Sequence, residues 1–292
     1  MEIKRYLIWR HDGAIGNTAE QVLGLTLHLR PHAHKRTIVT EFEWQKTLIL
    51  ASPVLSTAQI EVTPGLQPDM NDMETTVPDV YRKGNSFPSS WERLIGLQEH
   101  CLTWPRSPEL SYDVVIMFKS SRFRHRSESM NLDSHRRVSE KKYAKLIEEL
   151  ARSGLRVARI GGPEQRPLPI QKNVHDLKGI DPTLKSDLDV ISSCRVAVFS
   201  DSGLWPMAVA LGKRTVVSDV VSDAGNYFSS RFLPFVGVKL NRDRTNVFGW
   251  AGTNLKVLRK PTLTVGRFTL FFPVSRKRLK SEIIQSLKSP LL

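Results

Sequence analysis

Apolar residues recur along this chain with two periods, and the second half carries the clearer pattern. Val114 to Phe118 is an unbroken apolar run, which predicts a strand buried on both faces of a parallel sheet. Glu140 to Ser153 places Tyr143, Leu146, Ile147 and Leu150 on one helical face, and Gly154 supplies the C-terminal cap. Arg156 to Ile160 is the next strand, stopped by Gly161-Gly162-Pro163. Asp181-Pro182 opens a helix whose apolar face is Leu184, Leu188 and Ile191. Arg195 to Phe199 is a strand, Ser200 to Gly203 a tight turn, and Trp205 to Leu211 a short helix closed by Gly212. Thr215 to Ser218 is a further strand. Strands alternating with helices predict a parallel sheet with right-handed crossovers.

The first half is less regular. Tyr6 to Trp9 reads as a buried strand, His11 to Asn17 as a turn holding two glycines, and Thr18 to Leu29 as a helix presenting Val22, Leu25 and Leu29. Strand, glycine turn and helix open a nucleotide-binding α/β unit, and equally any other βαβ turn. Thr37 to Thr40 and Thr47 to Leu50 look like short strands. From Ser52 to Pro108 prolines are frequent; loops, short strands and one helix near Trp91 to His100 are expected. Beyond Lys239, Thr262 to Val265 and Phe268 to Phe272 are strand-like, and Lys277 to Leu287 is an amphipathic helix. The fold class expected is α/β with two Rossmann-like domains, residues 1–108 and 109–238, followed by a basic tail, residues 239–292.

Composition is that of a globular protein: 292 residues, 40% hydrophobic and 25% charged. Charge changes the picture more. The formal net charge is +14, and it is uneven. From Lys239 onward twelve Lys and Arg face two acids, Asp243 and Glu282. Nine basic residues face three acidic ones between Lys119 and Lys145. Such fields attract phosphate, whether of nucleic acid, anionic lipid or a nucleotide, and charge by itself does not choose. Of the two cysteines, Cys194 lies in an apolar stretch and reads as a small core residue. Neither a secretory signal nor a run long enough to span a bilayer is visible. The expected location is cytoplasmic, with the basic tail packing back on the first half or resting on an anionic membrane face.

Three segments could carry chemistry. Ser200-Asp201-Ser202-Gly203-Leu204 joins a strand to a helix, where free backbone N–H groups and serine hydroxyls suit an anion and Gly203 allows close approach. The basic loop after the Val114 strand offers Lys119, Arg122 and Arg137, whose geometry suits phosphate oxygens. Gly161-Gly162 ends its strand at the same sheet edge, where a base or ribose could enter. Each is also readable as an ordinary turn or solvated loop. Asp187 and Asp189 are two apart on a helix and so diverge, which argues against a metal. No Walker A pattern or nucleophile elbow is present, and no RNA-recognition, KH or zinc-finger motif supports nucleic acid as the partner.

Taken together, the helix from Tyr143, Gly161, the Leu184-Lys185-Ser186-Asp187 helix start, the Ser200-Asp201-Ser202-Gly203 turn and Ala210-Leu211-Gly212-Lys213 resemble the C-terminal half of GT-B glycosyltransferases. The run is similar to bacterial heptosyltransferases and to surface-polysaccharide glycosyltransferases, and it covers Val114 to Asp219. Arg10 to Gly16 matches the heptosyltransferase opening more loosely. The resemblance implies a nucleotide-sugar donor held by the second domain, with Ser202, Gly203 and Leu204 on the diphosphate and Lys119 or Arg122 assisting. It implies a glycan or lipid-linked acceptor on the first domain, and no metal or other cofactor. Heptosyltransferases carry an Asp after Ile-Gly as the proposed base. Here that position is Asn17, which leaves Asp12 as the candidate general base and Glu20 as an alternative. A fucosyltransferase-like enzyme and a non-catalytic protein binding nucleic acid or anionic membrane are the competing readings.

Overall fold

The computed structural model describes residues 4–8, 18, 22, 25–26, 29, 33–64, 75–76, 102–119, 137–178, 184–200, 202, 204–220, 255–260, 262–265, 268–271 and 273–289. The first half is built on a four-stranded parallel sheet. Its strands are β1 (Lys4–Ile8), β2 (Arg36–Thr40), β3 (Gln59–Val62) and β4 (Thr75–Thr76), in the order β3-β2-β1-β4. Thr18, Val22, Leu25, Thr26 and Leu29 are helical and buried, the stripe their spacing predicts.

Residues 47–50 are not a strand. They are the last turn of α1 (Glu43–Leu50). A four-residue apolar run cannot announce its own period, and here the helix start decides. The buried Gln45 side chain accepts from the backbone N–H groups of Glu41 and Phe42, each at 3.1 Å, and from the Thr40 hydroxyl. Those bonds satisfy the exposed N-terminal turn, and Leu48 and Ile49 then face the core.

The second half is built on a six-stranded, wholly parallel sheet. Its strands are β5 (Tyr112–Met117), β6 (Val157–Arg159), β7 (Val174–Asp176), β8 (Cys194–Ser200), β9 (Arg214–Val220) and β10 (Leu255–Arg259), ordered β10-β9-β8-β5-β6-β7. The chain builds outward from β5 through β6 to β7, returns beside β5 with β8, and builds outward again. The winding therefore reverses between β5 and β8.

Alternation along these strands feeds two cores. Val114, Ile116, Val196, Val198 and Val216 face α2 (Glu140–Arg152) and α5 (Arg276–Lys288). Val115, Ala197, Phe199 and Val217 face α3 (Leu184–Ser192), α4 (Trp205–Ala210) and the first half, whose Leu25, Leu48 and Ile49 belong to the same cluster. The segment after the first half is tied to both: Thr103 N donates to Ala51 O at 2.8 Å, and Leu102 N to Ala210 O at 3.2 Å. A separate antiparallel hairpin, β11 (Thr262–Val265) with β12 (Phe268–Phe271), precedes α5.

The C-terminal helix does not pack back on the first half. Leu279, Ile283 and Leu287 are buried against the second sheet. Arg214 and Arg195 donate to the last carbonyls of α5, Ser286 O at 2.7 Å and Leu287 O at 3.2 Å, where cations complement a helix C-terminus.

Gly154 ends α2 with φ +84°, and Leu155 N donates back to Leu150 O at 3.3 Å. A Cβ there would meet nothing within 4 Å, so the penalty is purely conformational. Gly154→Ala is expected to lower stability by about 1 kcal/mol, read by urea unfolding. An unchanged midpoint would show that the turn relaxes freely.

Candidate functional site: the carboxyl edge of the second sheet

In an open α/β sheet, ligands sit outside the carboxyl ends of the strands where the winding reverses. Here that point lies between β5 and β8. Lys119 N, just past β5, donates to Ser200 Oγ, the last residue of β8, at 2.7 Å. Ser200 is fully buried, so its hydroxyl serves to join the two strand ends. Ser202 follows, 6% exposed, with an Oγ that has no partner among the described residues. An unpaired buried hydroxyl is uncommon and points to a missing partner. Leu204 is buried and begins the turn into α4. That helix is only six residues long, so its dipole adds less than the sequence pattern implies.

The basic loop leaves and re-enters at this edge. Val138 N donates to Lys119 O at 3.1 Å, closing the loop at its base, and Lys260 Nζ donates to Arg137 O at 3.0 Å. Lys119, Arg137 and Lys260 therefore converge beside the β5, β8 and β10 ends.

Gly161 and Gly162 follow β6 at the same edge, but they do not form an open slot. Gly161 has φ +140°, and a Cβ there would lie 2.8 Å from Gln165 Nε2. A Cβ on Gly162 would meet the Glu164 carboxylate at 2.0 Å. Both glycines are required because the turn folds its own side chains over them. Gln165 is buried, and its Nε2 donates to Phe118 O at 2.8 Å, tying this turn to the end of β5.

Among solved structures, the chain superposes on E. coli ADP-heptose LPS heptosyltransferase II with a TM-score of 0.53 at 14% identity, covering 97% of this chain and 98% of that one. It superposes on a glycosyl transferase family 9 protein from Veillonella parvula DSM 2008 with a TM-score of 0.53 at 12% identity, covering 98% of each. The chain has the GT-B fold. No protein-family model matches it, and no curated protein matches it in sequence.

Within that GT-B frame, the structure brings together Lys119, Arg137, Gly161, Gly162, Ser200, Ser202 and Leu204 at one edge. Asp12, Arg122, Asp201 and Gly203 lie outside the described residues, as do Asn17 and Glu20. Asp189 is not a metal ligand: its Oδ1 accepts from Trp104 Nε1 at 2.7 Å, and its Oδ2 faces Lys185 Nζ at 3.3 Å. No three His, Cys, Asp or Glu side chains come together as a metal site among the described residues. Nor is any described helix long and apolar enough to cross a membrane.

Sequence reasoning missed Asp219. It ends β9 fully buried, with φ +60°. Its Oδ2 accepts from Lys142 Nζ at 2.6 Å, Ser218 Oγ at 2.9 Å and Tyr143 OH at 3.0 Å; its Oδ1 accepts from Val274 N at 2.8 Å. One carboxylate thus fastens the start of α2, the end of β9 and the entry to α5. Burial lowers the Lys142 pKa and raises that of Tyr143 well above its usual value; Asp219 opposes the first shift and adds to the second. It also missed the buried Arg159, which grips both Asp176 oxygens at 2.8 and 2.6 Å. An aspartate inside a strand pattern was the only available signal for either.

Cys194 is a free core residue, and burial pushes its thiol up to about 12, with Lys213 pulling the other way. A raised value means the folded chain keeps a proton that the unfolded chain releases near the ordinary 9.0. The associated stability is complete below pH 9.0 and is lost as pH rises toward 12. Unfolding free energy is expected to fall by up to about 1.4 kcal/mol per pH unit in that window, per such group. Cys194→Ala should flatten the slope between pH 9 and 10; an unchanged slope would assign it to other groups.

Proposed function

We propose that this chain is a glycosyltransferase that moves a sugar from a nucleoside-diphosphate donor to a cell-surface glycan or lipid-linked acceptor, without a metal ion. The observation that supports it most is the unpartnered Ser202 hydroxyl beside the Lys119–Ser200 bond at the winding reversal. The diphosphate would lie over Ser200 to Leu204, with Lys119, Arg122 and Arg137 countering the charge that develops on the leaving group. Residues 1–108 would hold the acceptor. Residues 109–238, completed by β10 and α5, would hold the donor. Asp12 would take the proton of the attacking hydroxyl. Because one neighbour is named for ADP-heptose, adenosine diphosphate sugars are the first donors to try. Lys277 and Arg278, exposed at the start of α5, could rest on an anionic inner leaflet near a lipid-linked acceptor.

The test is a thermal-shift screen of ADP, UDP, GDP and their sugars in chelator. Stabilisation by one of them, lost in Ser202→Trp, is the expected result. No stabilisation by any of them, with RNA or anionic vesicles stabilising instead, would overturn it.

A further inference from the structure

The carboxyl edge is chemically two-sided. On the β5 and β8 side the unmatched polar group is a donor, the Ser202 hydroxyl, with Lys119 nearby. On the β6 side the unmatched groups are acceptors. Gln165, 3% exposed, has a buried Oε1 without a partner among the described residues. Its amide cannot be reversed, because Nε2 must face the Phe118 carbonyl. Glu140, at the start of α2, has a buried Oε1 in the same condition. Its other oxygen accepts from Arg166 N at 3.3 Å, so the two acceptors flank one turn.

Phosphate suits the first side and is repelled by the second, where a carboxylate waits. The second side needs O–H donors. We propose that Gln165 and Glu140 form an acceptor pair that reads hydroxyl groups of the nucleotide sugar, either the ribose diol or the transferred sugar. This rests on the donor-site reading above. It orients the ligand, with diphosphate toward β8 and hydroxyls toward β6. Both oxygens lie beneath the surface, so binding requires the partly exposed turn at 162–164 to lift. A buried acceptor left unpaired is costly, which makes the site discriminate against ligands lacking the hydroxyl.

The test measures dissociation constants of ADP, 2′-deoxy-ADP, 3′-deoxy-ADP and ADP-glucose for the wild type, Gln165→Met and Gln165→Glu, with UDP and GDP series alongside. Each variant is first checked for a native melting transition. If the ribose is read, a deoxy ligand binds the wild type about tenfold more weakly than its parent. That difference disappears in Gln165→Met and persists in Gln165→Glu, which keeps an acceptor but loses the bond to Phe118. If the transferred sugar is read, the advantage of ADP-glucose over ADP behaves in that way instead. Gln165→Met retaining every wild-type ratio would overturn the inference while leaving the donor site intact. Equal loss of discrimination in both variants would also overturn it, since the Phe118 bond would then explain everything. Failure of every nucleotide to bind the wild type would overturn the donor-site reading itself, and the inference with it.

Discussion

Asp219→Ala is expected to lower the unfolding free energy by about 3–5 kcal/mol, a large part of the roughly 5–15 kcal/mol available to a protein of this kind. Asp219 receives four hydrogen bonds while fully buried. Removing it leaves Lys142 Nζ, whose side chain is 11% exposed, as a cation with no counter-charge in a site that already disfavours its charged form. The Tyr143 hydroxyl and Val274 N–H lose their acceptor together. Alanine also tolerates the positive φ poorly. Guanidinium unfolding measures the loss. Lys142→Met in the Asp219→Ala background should recover part of it, because the orphaned charge goes. A loss below about 1 kcal/mol would mean that water enters and the knot is not buried in solution.

Ser202→Trp is expected to abolish nucleotide binding. A ligand at one hundred times its dissociation constant stabilises the native state by about 2.7 kcal/mol, and that increment should vanish in the variant. The position admits no bulk: Ser202 is 6% exposed and sits between the end of β8 and the buried Leu204. Overpacking could unfold the chain instead, so Ser202→Ala accompanies it. That change removes only the unpartnered hydroxyl and should weaken affinity about five- to tenfold at an unchanged melting temperature of the unliganded protein. Unaltered affinity in Ser202→Ala, with folded Ser202→Trp still binding, would place the nucleotide elsewhere on the edge.

The strand–helix alternation of the second half was legible because each element carries its own signal. Val114 to Phe118 is apolar throughout and forms the strand at the winding reversal. Tyr143, Leu146, Ile147 and Leu150 keep helical spacing and are buried. The serine turn after β8 was legible for a similar reason: small polar residues between an apolar strand and a helix restrict what the backbone can do. By contrast, β7 is three half-buried residues at a sheet edge, too short to show a period. Residues 47–50 became helix because Gln45 caps the preceding turn, a contact that apolar spacing does not report.

What the sequence determined by itself, then, was local: the periodicity of each element, the glycine at each stop, and the residue types gathered at the strand ends. Those follow from φ/ψ preference and from burial of one face, both readable within a few residues. Tertiary structure decided the rest. It placed the reversal between β5 and β8, laid α5 on the second sheet, folded Glu164 and Gln165 over the glycine turn, and joined Asp219 to Lys142 across 77 positions. Each of these pairs groups far apart in the chain. Their partner choice depends on desolvation in the assembled core, where an unpaired charge or amide is costly, and no local pattern encodes that cost.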